Sequence, residues 1–133
     1  MQGFPHHGRV WVKKLVQESR IRLATWNIGT LTGKSMELVD TMKRRRVNIA
    51  CLQETKWKGK KAKDIDGFKL WYTEEANNKN GVGIIVDKDL KEEVVDVKRI
   101  GDRIITIKLV LEKEIINIIE SCDPSTYLVV TPH

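Results

Sequence analysis

Two residues stand where chemistry would be placed. Asn27 follows the apolar run that begins at Ile21, and Glu54 follows the apolar run from Val47 to Leu52 with only Gln53 between. In open α/β sheets, functional groups gather beyond the carboxyl ends of the strands. If these two runs form neighbouring strands, Asn27 and Glu54 project into one pocket. A carboxylate there can hold a hard divalent cation such as Mg²⁺, which prefers oxygen ligands and keeps several waters. An amide beside it can orient the carboxylate or donate to a phosphate oxygen. The spacing alone leaves the plainer reading open, in which Glu54 is a solvated loop residue.

The elements that must position the pair are legible. Residues 21–28 alternate loosely and read as a strand. Asn27 to Gly33 then turns the chain, with two glycines easing the backbone. From Ser35, Met36, Leu38, Val39 and Met42 follow helical spacing. Ser35 can cap that helix. Glu37 sits in its first turn and Lys43-Arg44-Arg45-Arg46 in its last, each where the helix dipole favours its sign. Val47 to Leu52 reads as a strand covered on both faces. Residues 21–53 thus read as strand, turn, helix, strand, the content of a βαβ unit. A Lys-rich loop over 56–66 follows. Phe68–Tyr72, Val82–Val86, Val94–Ile100, Ile104–Leu111 and Ile115–Ile119 read as strands, the later ones as a meander of hairpins. Residues 1–20 read as a disordered leader outside the fold, and residues 120–133 as a divergent tail.

Composition sets the outer bounds. The chain has 133 residues, room for one modest domain. No apolar run approaches the ~20 residues of a membrane span. The first twenty residues lack a secretory signal's unbroken apolar stretch. Two cysteines, Cys51 and Cys122, are too few for a disulfide scaffold. These features point to an intracellular protein, nuclear or cytoplasmic and not secreted. The net charge of +6 is concentrated: residues 34–63 hold ten Lys or Arg against three Asp or Glu, and the remainder to the C-terminus is net acidic. Such a stretch suits a polyanion such as DNA or another nucleic acid, or equally a solvated helix face and loop. Within it, Lys56, Lys58, Lys60 and Lys61 read as phosphate contacts, with Trp57 packing on the sheet. Cys51 reads as an inert core thiol, and Trp26 and Trp71 as core or half-buried aromatics.

Four strings, in order, carry a family resemblance: Arg22-Leu-Ala-Thr-Trp-Asn-Ile-Gly29, Cys51-Leu-Gln-Glu-Thr-Lys56, Asn80-Gly-Val-Gly-Ile-Ile-Val86 and Gly101-Asp-Arg-Ile-Ile105. Together they resemble the endonuclease/exonuclease/phosphatase superfamily over residues 21–119. The resemblance is nearest to the endonuclease domain of RTE-type non-LTR retrotransposons and to craniofacial development protein 2-like proteins. It implies an α/β fold, a four-layered sandwich of which this chain holds the N-terminal half as a mixed, mostly antiparallel sheet with one or two helices. It also implies Mg²⁺-dependent phosphodiester hydrolysis. Asn27 then falls on the site-organising Asn and Glu54 on the metal ligand, the two catalytic candidates, while Gly81 to Gly83 and Arg103 fall on structural positions.

The departures bear on activity. After Ile119 the family pattern continues Ser-Ala-Tyr-Ala-Pro, whereas this chain reads Glu120-Ser-Cys-Asp-Pro124, with Cys122 in place of the active-site Tyr. The later Gly-Asp-Phe-Asn and Ser-Asp-His motifs are absent from these 133 residues. The histidines are His6, His7 and His133, none internal. Hydrolysis needs a metal, a positioned base and donors around the phosphoryl oxygens. One carboxylate holds Mg²⁺ weakly at best. The expectation is a truncated remnant without activity by itself, or a non-catalytic nucleic-acid-binding module, or a fragment that does not fold. A partner chain supplying the missing half-domain is part of that expectation. Ile104-Ile105, Ile107, Leu109, Ile115-Ile116 and Ile118-Ile119 are then expected to lie exposed on an unpartnered sheet.

Overall fold

A computed structural model describes residues 9–13, 21–27, 35–53, 55, 62–73, 81–101, 103–121 and 125–133. The strands are β1 (Arg9–Lys13), β2 (Ile21–Asn27), β3 (Ile49–Gln53), β4 (Ala62–Ile65), β5 (Phe68–Tyr72), β6 (Val82–Val86), β7 (Val94–Ile100), β8 (Ile104–Val110), β9 (Glu114–Ser121) and β10 (Ser125–Pro132). The helix α1 spans Ser35–Arg45, and a single 3-10 turn, Lys91–Glu93, precedes β7. No helix among the described residues is long and apolar enough to cross a membrane.

The strands form two sheets. Six order as β1-β2-β3-β6-β5-β4 and four as β10-β9-β8-β7. The β2–α1–β3 segment is the βαβ unit that its spacing suggests, and its two strands pair directly and in parallel. Every other pairing is antiparallel. The fold is therefore mixed α/β, consistent with a partial α/β sandwich.

Alternation along β2 and β3 assigns the two faces of the larger sheet. Ala24, Trp26, Ala50 and Leu52 join Leu38, Val39 and Met42 of α1 in one buried cluster with Phe68, Leu70, Tyr72 and Ile85. Ile21, Leu23, Ile49, Cys51, Val82, Ile84 and Val86 face the other way, onto Ile105, Ile107, Leu109, Ile116 and Ile118 of the smaller sheet. A layer of helix, a layer of six strands and a layer of four strands share two cores.

This corrects the expectation of an unpartnered sheet. Ile105, Ile107, Leu109, Ile116 and Ile118 are at most 1% exposed, because the two sheets pack on each other. Only their alternates Ile104, Ile115 and Ile119, on the outer face, are part-exposed. At about 25 cal/mol per Å² of apolar surface removed from water, closure of these faces is a large driving force for folding.

Both supposed flanks also enter the fold. Residues 9–13, placed in the leader by their irregular pattern, pair with β2 from Arg9↔Thr25 to Lys13↔Ile21. Most of the tail forms β10, paired with β9 from Ser125↔Ser121 to Pro132↔Glu114. Within the supposed Lys-rich loop, β4 makes a hairpin with β5 through Asp66 and Gly67, at φ 51° and 88°. Positive φ at both central residues matches the twist of paired strands, and Asp-Gly is favoured there.

Candidate functional site

The parallel pairing of β2 and β3 sets the site. Leu23↔Ile49 begins the register and Asn27↔Gln53 ends it, so both strands stop at one carboxyl edge. Asn27, described by its backbone alone, is thus the lateral neighbour of the residue preceding Glu54. Glu54 lies outside the described residues, as do Lys56, Lys58, Lys60 and Lys61. The condition that the two strands be neighbours is met. The meeting of the Asn27 and Glu54 side chains over a cation lies beyond what is described.

What is described at this edge is a polar bridge between the sheets. Gln53, on the face that meets the smaller sheet, donates through Nε2 to the Glu120 carboxylate and to the Ser121 carbonyl at 3.0 Å. Thr126, from β10, donates its hydroxyl to the other Glu120 oxygen. Glu120 is 0% exposed and Gln53 8%. A carboxylate so placed must be hydrogen-bonded, since leaving a buried polar group unmet costs about 1–3 kcal/mol, more if charged. Cys51, two residues before Gln53 on the same face, is also buried. Its thiol is pushed well above the ordinary range by burial and then by the Glu120 charge, with the contact to Thr126 pulling the other way. A thiol held protonated is neither nucleophile nor metal ligand, which agrees with reading Cys51 as inert.

The rest of the edge is set by close backbone packing. Thr73 takes the Val82 amide on its side-chain oxygen at 3.1 Å, and its own amide donates to the Val82 carbonyl at 2.9 Å. Thr55 is anchored by its amide to the Gly81 carbonyl at 3.1 Å. Gly83 is needed beside it. A Cβ there would lie 3.0 Å from the Trp71 carbonyl and 3.4 Å from the Thr55 methyl. The Thr55 hydroxyl is buried without a hydrogen-bond partner among the described residues. Across the gap, Arg99 of β7 donates Nε to the Tyr72 carbonyl at 2.9 Å. Burial lowers its pKa, while Tyr72 opposes that shift.

Glu120 is the site residue that the sequence reading missed. It appeared there only as a departure from the family string. The signal was present in the alternation, because Ile116, Ile118 and Glu120 fall on one face of β9, and that face is buried. A carboxylate continuing an apolar stripe asks for buried partners, and Gln53 and Thr126 supply them.

The described residues do not by themselves fit a Mg²⁺ site. No group of three or more His, Cys, Asp or Glu among them could hold a metal ion. Glu120 is the one carboxylate in the polar bridge, and Gln53 and Thr126 already occupy its oxygens. The basic run at the end of α1 is in part internally committed. Lys43 Nζ lies 2.5 Å from Asp66 Oδ2. The Arg45 carbonyl accepts from Arg22 Nη1 at 3.0 Å, satisfying one of the last carbonyls of the helix. His133 lies at the far turn instead, its Nδ1 2.7 Å from the Leu111 carbonyl.

No family model matches the chain. It is 23% identical over 107 residues to craniofacial development protein 2 of Bos taurus, covering 79% of this chain and 18% of that protein. It is also 23% identical over 134 residues to craniofacial development protein 2 of Tragulus javanicus, covering 94% of this chain and 23% of that protein. The chain thus spans less than a quarter of the length of these curated relatives. By sequence, this partial α/β sandwich is distantly similar to craniofacial development protein 2.

Proposed function

We propose that this chain carries part of a Mg²⁺-dependent phosphodiester hydrolase, a DNA endonuclease of the endonuclease/exonuclease/phosphatase type, and that these 133 residues do not cleave by themselves. One observation carries the reading. Asn27 and Gln53 are register partners at the carboxyl ends of two adjacent parallel strands, which brings the backbone of Asn27 to within one residue of Glu54. The four strings of resemblance and the distant similarity to craniofacial development protein 2 support it, and the RTE-type retrotransposon origin belongs to the same proposal.

In this reading Glu54 would hold Mg²⁺ weakly, and Asn27 would orient that carboxylate or donate to a phosphoryl oxygen. The metal would neutralise charge developing on the phosphoryl oxygens. The later Asp and His motifs, which would furnish the base, are missing from these residues. Catalytic groups that act as a unit leave only residual rate when several are lost.

A second reading keeps the polyanion and drops the chemistry: a nucleic-acid-binding module that uses the basic stretch at 34–63. The concentration of charge there favours it, although Lys43 is already engaged by Asp66. Incubation of supercoiled plasmid with Mg²⁺, comparing the parent chain with Glu54→Ala, tests the first reading. Equal, background-level nicking by both is expected. Mg²⁺-dependent nicking lost in the variant would overturn the inactive assignment. Retention of DNA that weakens steeply with salt, without nicking, would favour the binding module.

A further inference from the structure

The edges of the two sheets are not alike. β1 carries Arg9 and Lys13, β4 carries Lys63 and Asp64, and β7 carries Asp96, Lys98 and Arg99 with a register shift between Val94 and Asp96. Charge and bulges of this kind keep a sheet edge from pairing with another chain. β10, Ser-Thr-Tyr-Leu-Val-Val-Thr-Pro, has neither charge nor register shift over eight residues, and no described strand pairs with its outer side. Tyr127 and Val129 on its outer face are 59% and 47% exposed.

The direction of its free groups follows from one bond. The His133 amide donates inward to the Lys113 carbonyl at 2.9 Å. Main-chain groups alternate along an antiparallel strand. Thr131, Val129 and Tyr127 therefore bond inward to β9, while Thr126, Leu128 and Val130 turn their N–H and C=O groups outward. Pro132 shares the outward set and has no N–H to offer. In the sequence Pro124 and Pro132 stand four residues on either side of Leu128, so the donor-bearing window is symmetric about that residue.

We propose that β10 pairs with β10 of a second copy of this chain, antiparallel about a two-fold axis at Leu128, joining two four-stranded sheets into one of eight strands. Leu128 meets the partner copy's equivalent residue and Thr126 meets its Val130, closing six main-chain hydrogen bonds. Tyr127 lies across from the other copy's Val129 on the outer face, an aromatic and β-branched pair of the kind that stabilises neighbouring strands. An uncharged strand matched to itself places no like charges together. The symmetry is what selects a second copy over an unrelated strand: an isologous contact needs a self-complementary edge, and the proline spacing makes this one so. An edge pairing alone buries far less than the roughly 1,600 Å² of a standard stable interface, so the association is weak and concentration-dependent.

Sedimentation equilibrium of the full chain over a hundredfold range of concentration tests the pairing. The mass is expected to rise from 15.3 kDa toward twice that value. Tyr127→Lys with Val129→Lys sets two like-charged pairs across the axis and is expected to weaken association at least tenfold, with circular dichroism verifying the fold. Tyr127→Lys with Val129→Glu makes the same two pairs opposite in sign and is expected to restore it. A parent chain that stays at one copy at the highest concentration overturns the proposal. So does a double-lysine variant that associates as well as the parent. Failure of the Lys/Glu variant to recover overturns the two-fold register.

Discussion

Two amides bracket the same strand and do different work. Asn48 precedes β3 and Gln53 ends it. Asn48 ties strands within one sheet. It accepts the Arg22 amide at 2.8 Å, donates to the Asp87 carboxylate at 2.8 Å, and offers its carbonyl to the Asp87 amide at 2.9 Å. Asp87 in turn caps the turn that follows β6, accepting the Asp89 and Leu90 amides on Oδ1 at 3.1 and 2.9 Å. Gln53 instead leaves its sheet, reaching Glu120 and Ser121 of the other. The amino end of the parallel pair is thus a closed network in which these groups are matched locally. The carboxyl end holds a buried carboxylate shared between sheets and, at Thr55, a hydroxyl unmatched among the described residues. A buried polar group left unmet calls for a physical reason, such as strain, a bound water or ion, or a chemical role. Among the described residues, the buried hydroxyl without a partner lies at the end that bears Asn27.

The contrast can be broken by substitution, most severely at Gln53. Gln53→Leu strips a donor from buried Glu120 and should cost about 3 kcal/mol in chemical denaturation, within the range for bonds to charged groups. Asn48→Ala removes two side-chain bonds from a part-buried place and should cost about 2 kcal/mol. A reversal of that order would mean that the sheet-to-sheet bridge is secondary. Thr55→Val should stabilise by about 1 kcal/mol, since it deletes an unsatisfied hydroxyl while nearly keeping its shape.

The smallest effect belongs to the exposed Lys43–Asp66 pair. The hydrogen bond to Lys43, and then its charge, hold the Asp66 carboxyl below its usual range. The bond to Asp66 likewise raises Lys43. The sign of the linkage is fixed by these directions. The Asp66 contribution is present above its unfolded value near 3.8 and is lost as the pH falls through the lower folded value. The Lys43 contribution is present below 10.5 and is lost as the pH rises through the higher folded value. Both are screened by salt. Asp66→Asn should therefore flatten the acid limb of a stability–pH profile slightly at low salt and leave it unchanged at high salt.

Much of the fold is legible in the residues because buried elements declare themselves. The helical spacing of Leu38, Val39 and Met42, the unbroken run before Gln53 and the alternation of β8 and β9 each follow from what those elements cover. Three of the four edge strands among the described residues are different, β7 having shown its bounds in the sequence. β1, β4 and β10 each have a neighbour on one side only. Their existence depends on main-chain pairing, which leaves little apolar pattern. β4 did leave one trace, the Asp66-Gly67 hairpin turn, hidden within a run of lysines. Closure of the two sheets was legible in principle from Ile105, Ile107 and Leu109 alternating with Ile104, Thr106 and Lys108. Isoleucine on both faces of β8 and β9, as at Ile104 and Ile105, masks which face is covered. At the candidate site, the parallel strands that bring Asn27 beside Gln53 followed from the βαβ pattern. Glu120 did not, because a carboxylate's burial depends on partners from strands far away in sequence.

Asn27 and Glu54 are proposed to serve one divalent cation at the carboxyl end of the β2–β3 pair. Paramagnetic broadening by Mn²⁺, standing in for Mg²⁺, reads this directly in an amide-resolved NMR spectrum of the full chain. The amides of Asn27 and of residues 53–55 are expected to broaden together at the lowest Mn²⁺ additions, those of Asn48 and Asp87 to stay sharp, and Glu54→Gln to abolish the effect. Broadening that begins elsewhere, or that touches one strand end without the other, would contradict it.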